Sequence, residues 1–300
     1  MKAEDPSPED GAMGTQDKDR EGISRRDVLK AGLGAATVAG YAIAADPVFG
    51  QIVYTDAQGL IAGEIKFPSG GDMIPAYGAR PDDSEKHPVV VVISEIFGLH
   101  EHIKGLCRRF AKRGYYAIAP EMFHREGGVA HLKDIQDILK IVNNMSRRQI
   151  LQDLSAAADY ARRQPYAGAT RGVGVTGFCW GGSTTMQFAA HYQQLGAAVA
   201  WYGPPGRVYK DDPPKSGFDV AGAITVPFLG LFGELDTNPT PADVRRFEEM
   251  LKRRNRNVEI VIYKGAGHAF FADYRASFQP DAARDGWARC LIWLDKYVRA

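Results

Sequence analysis

Three hundred residues, 45% apolar, 24% charged and 10% aromatic, are enough for one large α/β domain and describe a globular chain with a sizeable core. Thirty-seven basic against 36 acidic side chains (net +1) leave no broad field for nucleic acid or an anionic membrane. Three cysteines exclude a disulfide scaffold, and the 33 glycines and 17 prolines follow no collagen-like period.

Residues 1–22 are polar and charged without apolar periodicity, which predicts disorder. Ser24-Arg25-Arg26-Asp27-Val28-Leu29-Lys30 then precedes an apolar run, rich in glycine and alanine, that ends in Ala42-x-Ala44. The run is shorter than the ~20 residues that span a bilayer. Paired arginines ahead of such a run resemble a twin-arginine export signal, cleaved near Ala44 or Ala45. The resemblance implies a partner, the twin-arginine export machinery, and a periplasmic or extracytoplasmic location. Residues 1–45 are thus read as signal and disordered terminus, and 46–300 as one domain.

From residue 60 the chain alternates strand-like and helix-like segments. Residues 60–67 and 72–79 predict two strands joined by a turn at Pro68-Ser69-Gly70-Gly71. Residues 88–94 (Pro-Val-Val-Val-Val-Ile-Ser) form a β-branched run suited to a strand buried on both faces. Residues 102–113 predict a helix and 115–119 a strand. Residues 120–146 carry Gly127-Gly128 and no clear strand, and are read as an excursion facing substrate. A helix over 146–164 capped by Ser146, a strand at 173–176 and a helix at 183–192 follow. Strands are expected at 197–201, 224–232 and 258–263, with helices at 241–252 and 281–299. This order predicts an α/β fold, a mainly parallel central sheet with helices on both faces and an antiparallel edge.

The sharpest motif is Gly177-Phe178-Cys179-Trp180-Gly181-Gly182, between a short apolar strand and a helix. Gly-x-nucleophile-x-Gly is the elbow that lifts a nucleophile clear of a sheet, here with cysteine in place of serine. Its glycines leave room where backbones approach closely. The Trp180 N–H, opening the helix, can donate to an oxyanion. A thiol near pKa 8.5 needs a base or cation to activate it. Partners follow in the order acid, then histidine. Asp236, with Glu234 as the alternative, lies in the loop after residues 228–232, and His268 follows the last strand within Lys264-Gly265-Ala266-Gly267-His268. Glu95 ends the buried run at 88–94, so these groups gather at the carboxyl edge of the sheet, where α/β proteins place their ligands. A carboxylate at the end of an apolar strand is costly unless it has a partner or a role.

Together, Glu95-Ile96-Phe97-Gly98, Gly177-x-Cys179-x-Gly181-Gly182, Gly233-x-x-Asp236 and Gly265-x-Gly267-His268 resemble the dienelactone hydrolase family, a branch of the α/β-hydrolase fold, over residues 60–298. The resemblance implies a Cys179–His268–Asp236 triad and no cofactor. It implies that Glu95 contacts the resting thiol and helps release its proton, and that the oxyanion hole is the backbone N–H of Trp180 and Ile96. The substrate implied is a small-molecule ester or lactone. Family members carry an arginine four residues after the histidine; here that position is Ala272 and the nearest arginine is Arg275. Arg275, Trp201 and Phe270 are taken as substrate-binding candidates, with Arg125, Arg147 and Arg148 as substitutes for the missing arginine.

The alternative function is a non-catalytic or redox-active thiol protein on the same fold, although no resolving cysteine lies near Cys179 in sequence. His100 and His102 flank Glu101, and as i and i+2 residues at a helix start they are expected to point apart. The basic residues Lys252, Arg253, Arg254 and Arg256 suit a solvated helix end. In the α/β-hydrolase arrangement Cys107 and Cys290 fall on helices covering the same sheet face. Two separate buried thiols are expected there, with a disulfide as the alternative.

Overall fold

The structure, a computed structural model, describes residues 53–299; the segment that resembles an export signal lies outside the described residues. Strands β1 (Leu60–Ser69) and β2 (Asp72–Pro81) form an antiparallel hairpin in which Ser69 already pairs with Asp72. The turn is therefore two residues, not four. Gly70 and Gly71, at φ 55° and 88°, supply the left-handed conformations that a two-residue hairpin needs. Pro68 is tolerated because β1 is an edge strand.

Six shorter strands complete the sheet: β3 (Val89–Ile93), β4 (Tyr116–Pro120), β5 (Val173–Phe178), β6 (Leu195–Trp201), β7 (Phe228–Gly233) and β8 (Val258–Tyr263). Their order is β1-β2-β4-β3-β5-β6-β7-β8, antiparallel as far as the β2–β4 pair and parallel from there on. All five residues of β3 are buried, as its run of valines requires of a central strand covered on both faces. This is the α/β-hydrolase fold.

The helices are α1 (Glu101–Ala111), α2 (Ile135–Asn144), α3 (Arg147–Arg162), α4 (Trp180–Ala189), the single turn α5 (Gly217–Val220), α6 (Pro241–Lys252) and α7 (Pro280–Leu294). Helices α1 and α7 meet through Phe110 and Trp287, whose ring centroids are 4.6 Å apart. Helix α2 lies within residues 120–146, which the sequence shows as an excursion with no clear strand and for which no helix is predicted. Asp134 caps it by accepting from the Gln136 N–H at 2.8 Å, and Ile135, Ile138, Leu139 and Val142 repeat at i, i+3, i+4, i+7.

Other boundaries differ for local reasons. Pro227 has no N–H to give a ladder, so β7 starts at Phe228 rather than 224, and residues 221–223 form a 3-10 turn instead. Ser146 stands at the N-cap of α3 in an extended conformation, but its side chain caps nothing. The neighbouring Arg147 N–H donates to the Lys210 carbonyl at 2.9 Å. Helix α7 ends at Leu294, and residues 295–299 continue as a π turn.

Candidate active site

Strand β5 passes into α4 through Cys179, which holds φ 55° and ψ −115°. Such an angle is strained for any side chain and turns this one away from the strand direction. The glycines around it are fixed by contact. A Cβ on Gly177 would lie 2.2 Å from the Gly181 carbonyl oxygen, and one on Gly181 would lie 2.4 Å and 2.5 Å from the carbonyl oxygens of Ile93 and Ser94. The elbow is therefore seated on the end of β3, next to Glu95 and Ile96. Gly181→Ala should destabilise the fold by at least about 3 kcal/mol, since the obstructing atoms are backbone and cannot swing aside. Urea unfolding checks this; an unchanged midpoint would mean that the elbow is looser than these distances.

His268 lies beyond β8 and Asp236 beyond β7. The imidazole Nδ1 and Asp236 Oδ2 are 2.8 Å apart, and Asp236 Oδ1 accepts from the Asn238 N–H at 2.9 Å. Glu234, the alternative acid, is exposed and accepts from the Gly265 N–H at 2.9 Å, so it pins the histidine loop and does not touch the ring. Burial alone would lower the pKa of His268. The Asp236 carboxylate, aided by Cys179, outweighs burial and raises it well above the ordinary value. His268 Nε2 is buried without an aligned hydrogen bond, within electrostatic reach of Cys179.

Glu95 is 1% exposed. The Tyr274 hydroxyl donates to its Oε2; a guanidinium nitrogen of Arg275 stands 4.0 Å and His100 Nε2 3.8 Å from the same oxygen. Burial pushes the Glu95 carboxyl up, yet Arg275, His100 and His102 overcome it and hold the group well below the ordinary carboxylate range. Its Oε1 is buried and has no partner, and Glu95 makes no hydrogen bond to Cys179 among the described residues. Trp180 and Ile96 are both buried. The Trp180 N–H, at the first position of α4, is among those a helix leaves without an intrahelical partner.

The remaining candidates separate. Arg275 is buried against Phe97 and Tyr274, 4.8 Å and 5.2 Å from their ring centroids, beside Glu95. Arg125 is engaged by Asp153, Ser69 and Asp72, Arg147 by Gln187 and Asp211, and Arg148 is exposed. Trp201 is fully buried, with its indole N–H on Thr176 Oγ1 at 3.1 Å and its ring on Phe178 and Phe271. Phe270, also fully buried, packs against Trp201 and Tyr202. These two fill the aromatic core beneath the site.

His100 and His102 do not point apart. Their rings stack with centroids 6.1 Å apart, because His100 is the extended N-cap residue of α1 and turns back over the helix. His102 Nδ1 lies 3.1 Å from Asp273 Oδ1, and Arg109 donates to Asp273 Oδ2 at 2.5 Å. This buried chain fastens the loop carrying His268, Tyr274 and Arg275 to α1. The sequence reading missed Tyr274, although it immediately precedes Arg275 in that loop. Cys107 and Cys290 are free and fully buried; burial pushes the Cys107 thiol up to about 12 and Cys290 further, which suits inert core thiols.

The dienelactone hydrolase family model matches residues 74–298. The chain is similar to a protein of Methylorubrum extorquens named "Putative carboxymethylenebutenolidase", 42% identical over 280 residues that span 92% of this chain and 94% of the relative. A protein of the same name from Escherichia coli (strain K12) is 44% identical over 260 residues, 86% of this chain and 95% of its own. A crystal structure described as a "Putative Dienelactone Hydrolase" from Klebsiella pneumoniae superposes with a TM-score of 0.75 at 43% identity, covering 79% of this chain and 99% of that one.

Proposed function

The chain belongs to the dienelactone hydrolase family, and on that premise we propose that it hydrolyses carboxylic esters or lactones by covalent catalysis at Cys179. The observation that carries the mechanism is the 2.8 Å contact of Asp236 with His268 Nδ1, behind a cysteine held at φ 55° on a strand–helix elbow. Asp236 keeps Nδ1 protonated and leaves Nε2 to exchange a proton with the thiol and with the departing oxygen. The unpartnered Oε1 of Glu95 is a second acceptor for the thiol proton as substrate arrives.

The thiolate adds to the ester carbonyl, and the resulting oxyanion takes hydrogen bonds from the N–H groups of Trp180 and Ile96. The carbon–oxygen bond then breaks, His268 protonates the departing oxygen, and a thioester remains on Cys179. Neutral His268 next removes a proton from water, whose oxygen attacks the thioester and expels the thiolate. Because thiolate leaves readily, the first intermediate tends to revert unless the substrate's own leaving group is good. Activated esters, enol esters and lactones are therefore favoured over amides.

Acid quenching during turnover of p-nitrophenyl acetate is expected to trap an acetyl adduct, and peptide mapping should place it on the peptide containing Cys179. An adduct on another residue, or turnover with no adduct under any quench interval, would count against covalent catalysis at this cysteine.

A further inference from the structure

Tyr202 follows directly on β6 and holds φ 38°, a left-handed conformation that a bulky side chain rarely adopts. Its N–H donates to the Leu231 carbonyl at 2.8 Å, which fixes the bend to the neighbouring strand. The ring is turned edge-on against His268, with centroids 5.2 Å apart, and against Phe270 at 5.4 Å. The hydroxyl is fully buried and has no hydrogen-bond partner among the described residues. Burial, then Glu95, Tyr274 and Cys179, raise the pKa of this phenol well above its ordinary value. It therefore remains a hydrogen-bond donor throughout the working pH range.

A left-handed tyrosine and an unpaired buried donor each cost stability, and no hydrogen bond to the hydroxyl among the described residues offsets this. Both make sense if the hydroxyl meets a substrate atom. Strand β5 lies between β3 and β6, so Ile96, beyond β3, and Tyr202, beyond β6, flank Cys179 from opposite sides. A tetrahedral carbon whose oxyanion is drawn toward Ile96 and Trp180 directs its other substituents toward His268 and Tyr202.

We propose that Tyr202 is a further catalytic residue whose hydroxyl donates a hydrogen bond to the bridging ester oxygen as the acyl carbon–oxygen bond breaks. The inference rests on the hydrolase reading of Cys179. The electron pair of the broken bond goes to the bridging oxygen, His268 supplies the proton, and Tyr202 keeps its own. A second donor matters most in thiol chemistry, where the intermediate otherwise expels the thiolate and returns to substrate.

The test is Tyr202→Phe across substituted phenyl acetates, from p-nitrophenyl to p-methoxyphenyl, with kcat/KM normalised to titratable Cys179. The variant should stay within about twofold of wild type on p-nitrophenyl acetate and fall by about 10- to 30-fold on p-methoxyphenyl acetate, the loss expected of one hydrogen bond to developing charge. The dependence on leaving-phenol acidity thus steepens. Superimposed lines, or an equal loss at every phenol, would overturn the proposal, because a packing role does not distinguish leaving groups. A wild-type enzyme inactive on the whole series would overturn the hydrolase reading and this inference together.

Discussion

Cys179→Ala and His268→Ala should each lower kcat/KM for p-nitrophenyl acetate and for an enol lactone by about a thousandfold, within the range expected when a nucleophile or its base is lost. The two losses should not add in the double variant, because thiol and imidazole act as one unit across a single proton. Cys179→Ser should also lose at least about a hundredfold: a hydroxyl is far harder to deprotonate than a thiol. Against the effect of burial, Asp236 and Cys179 raise the pKa of His268 well above its ordinary value, which favours an imidazolium facing a thiolate over one facing an alkoxide. Steady-state kinetics on the three variants, with folding verified by circular dichroism, decides the matter. Activity preserved in Cys179→Ala would place the chemistry elsewhere in the chain.

What the sequence reveals of this site depends on how local each constraint is. The elbow is legible because Gly177 and Gly181 answer contacts within the motif or at the end of β3, where Gly181 has no room for a Cβ. Asp236 and His268 are legible through their places after predicted strands, and their 2.8 Å contact joins two such loops. Helix α2 is equally legible in the i, i+3, i+4, i+7 spacing of Ile135, Ile138, Leu139 and Val142. Tyr202 is legible in the sequence only as a pocket or core aromatic, and Tyr274 is not legible there at all. A tyrosine becomes a partner of Glu95, or a strained donor, only when a distant segment closes over it, and no spacing rule encodes that. The stacking of His100 on His102 escaped for a related reason: one residue outside the helix start, a side chain no longer follows helical geometry.

Arg275→Met is expected to destabilise the fold by about 3 kcal/mol at pH 7, and Glu95→Gln in the same chain to recover much of that loss. Arg275 and Glu95 are both buried, with Arg275 4.0 Å from the carboxylate. Methionine keeps much of the apolar stem against Phe97 but leaves the Glu95 charge without its largest cationic support. The pH dependence separates this from a packing defect. In wild type the depressed carboxyl contributes stability above the unfolded carboxylate pKa of about 4.3, and that contribution is lost as pH falls toward the folded value. In the variant burial is less opposed, so the carboxyl pKa rises and its ionisation at neutral pH costs stability that protonation relieves. The gap between the two proteins should therefore narrow from pH 7 to pH 4, whereas with Glu95→Gln in both backgrounds it should be small and independent of pH. Urea unfolding at three pH values measures both. A gap constant with pH and unmoved by Glu95→Gln would assign Arg275 to packing alone and remove the electrostatic reason for a buried carboxylate at the end of β3.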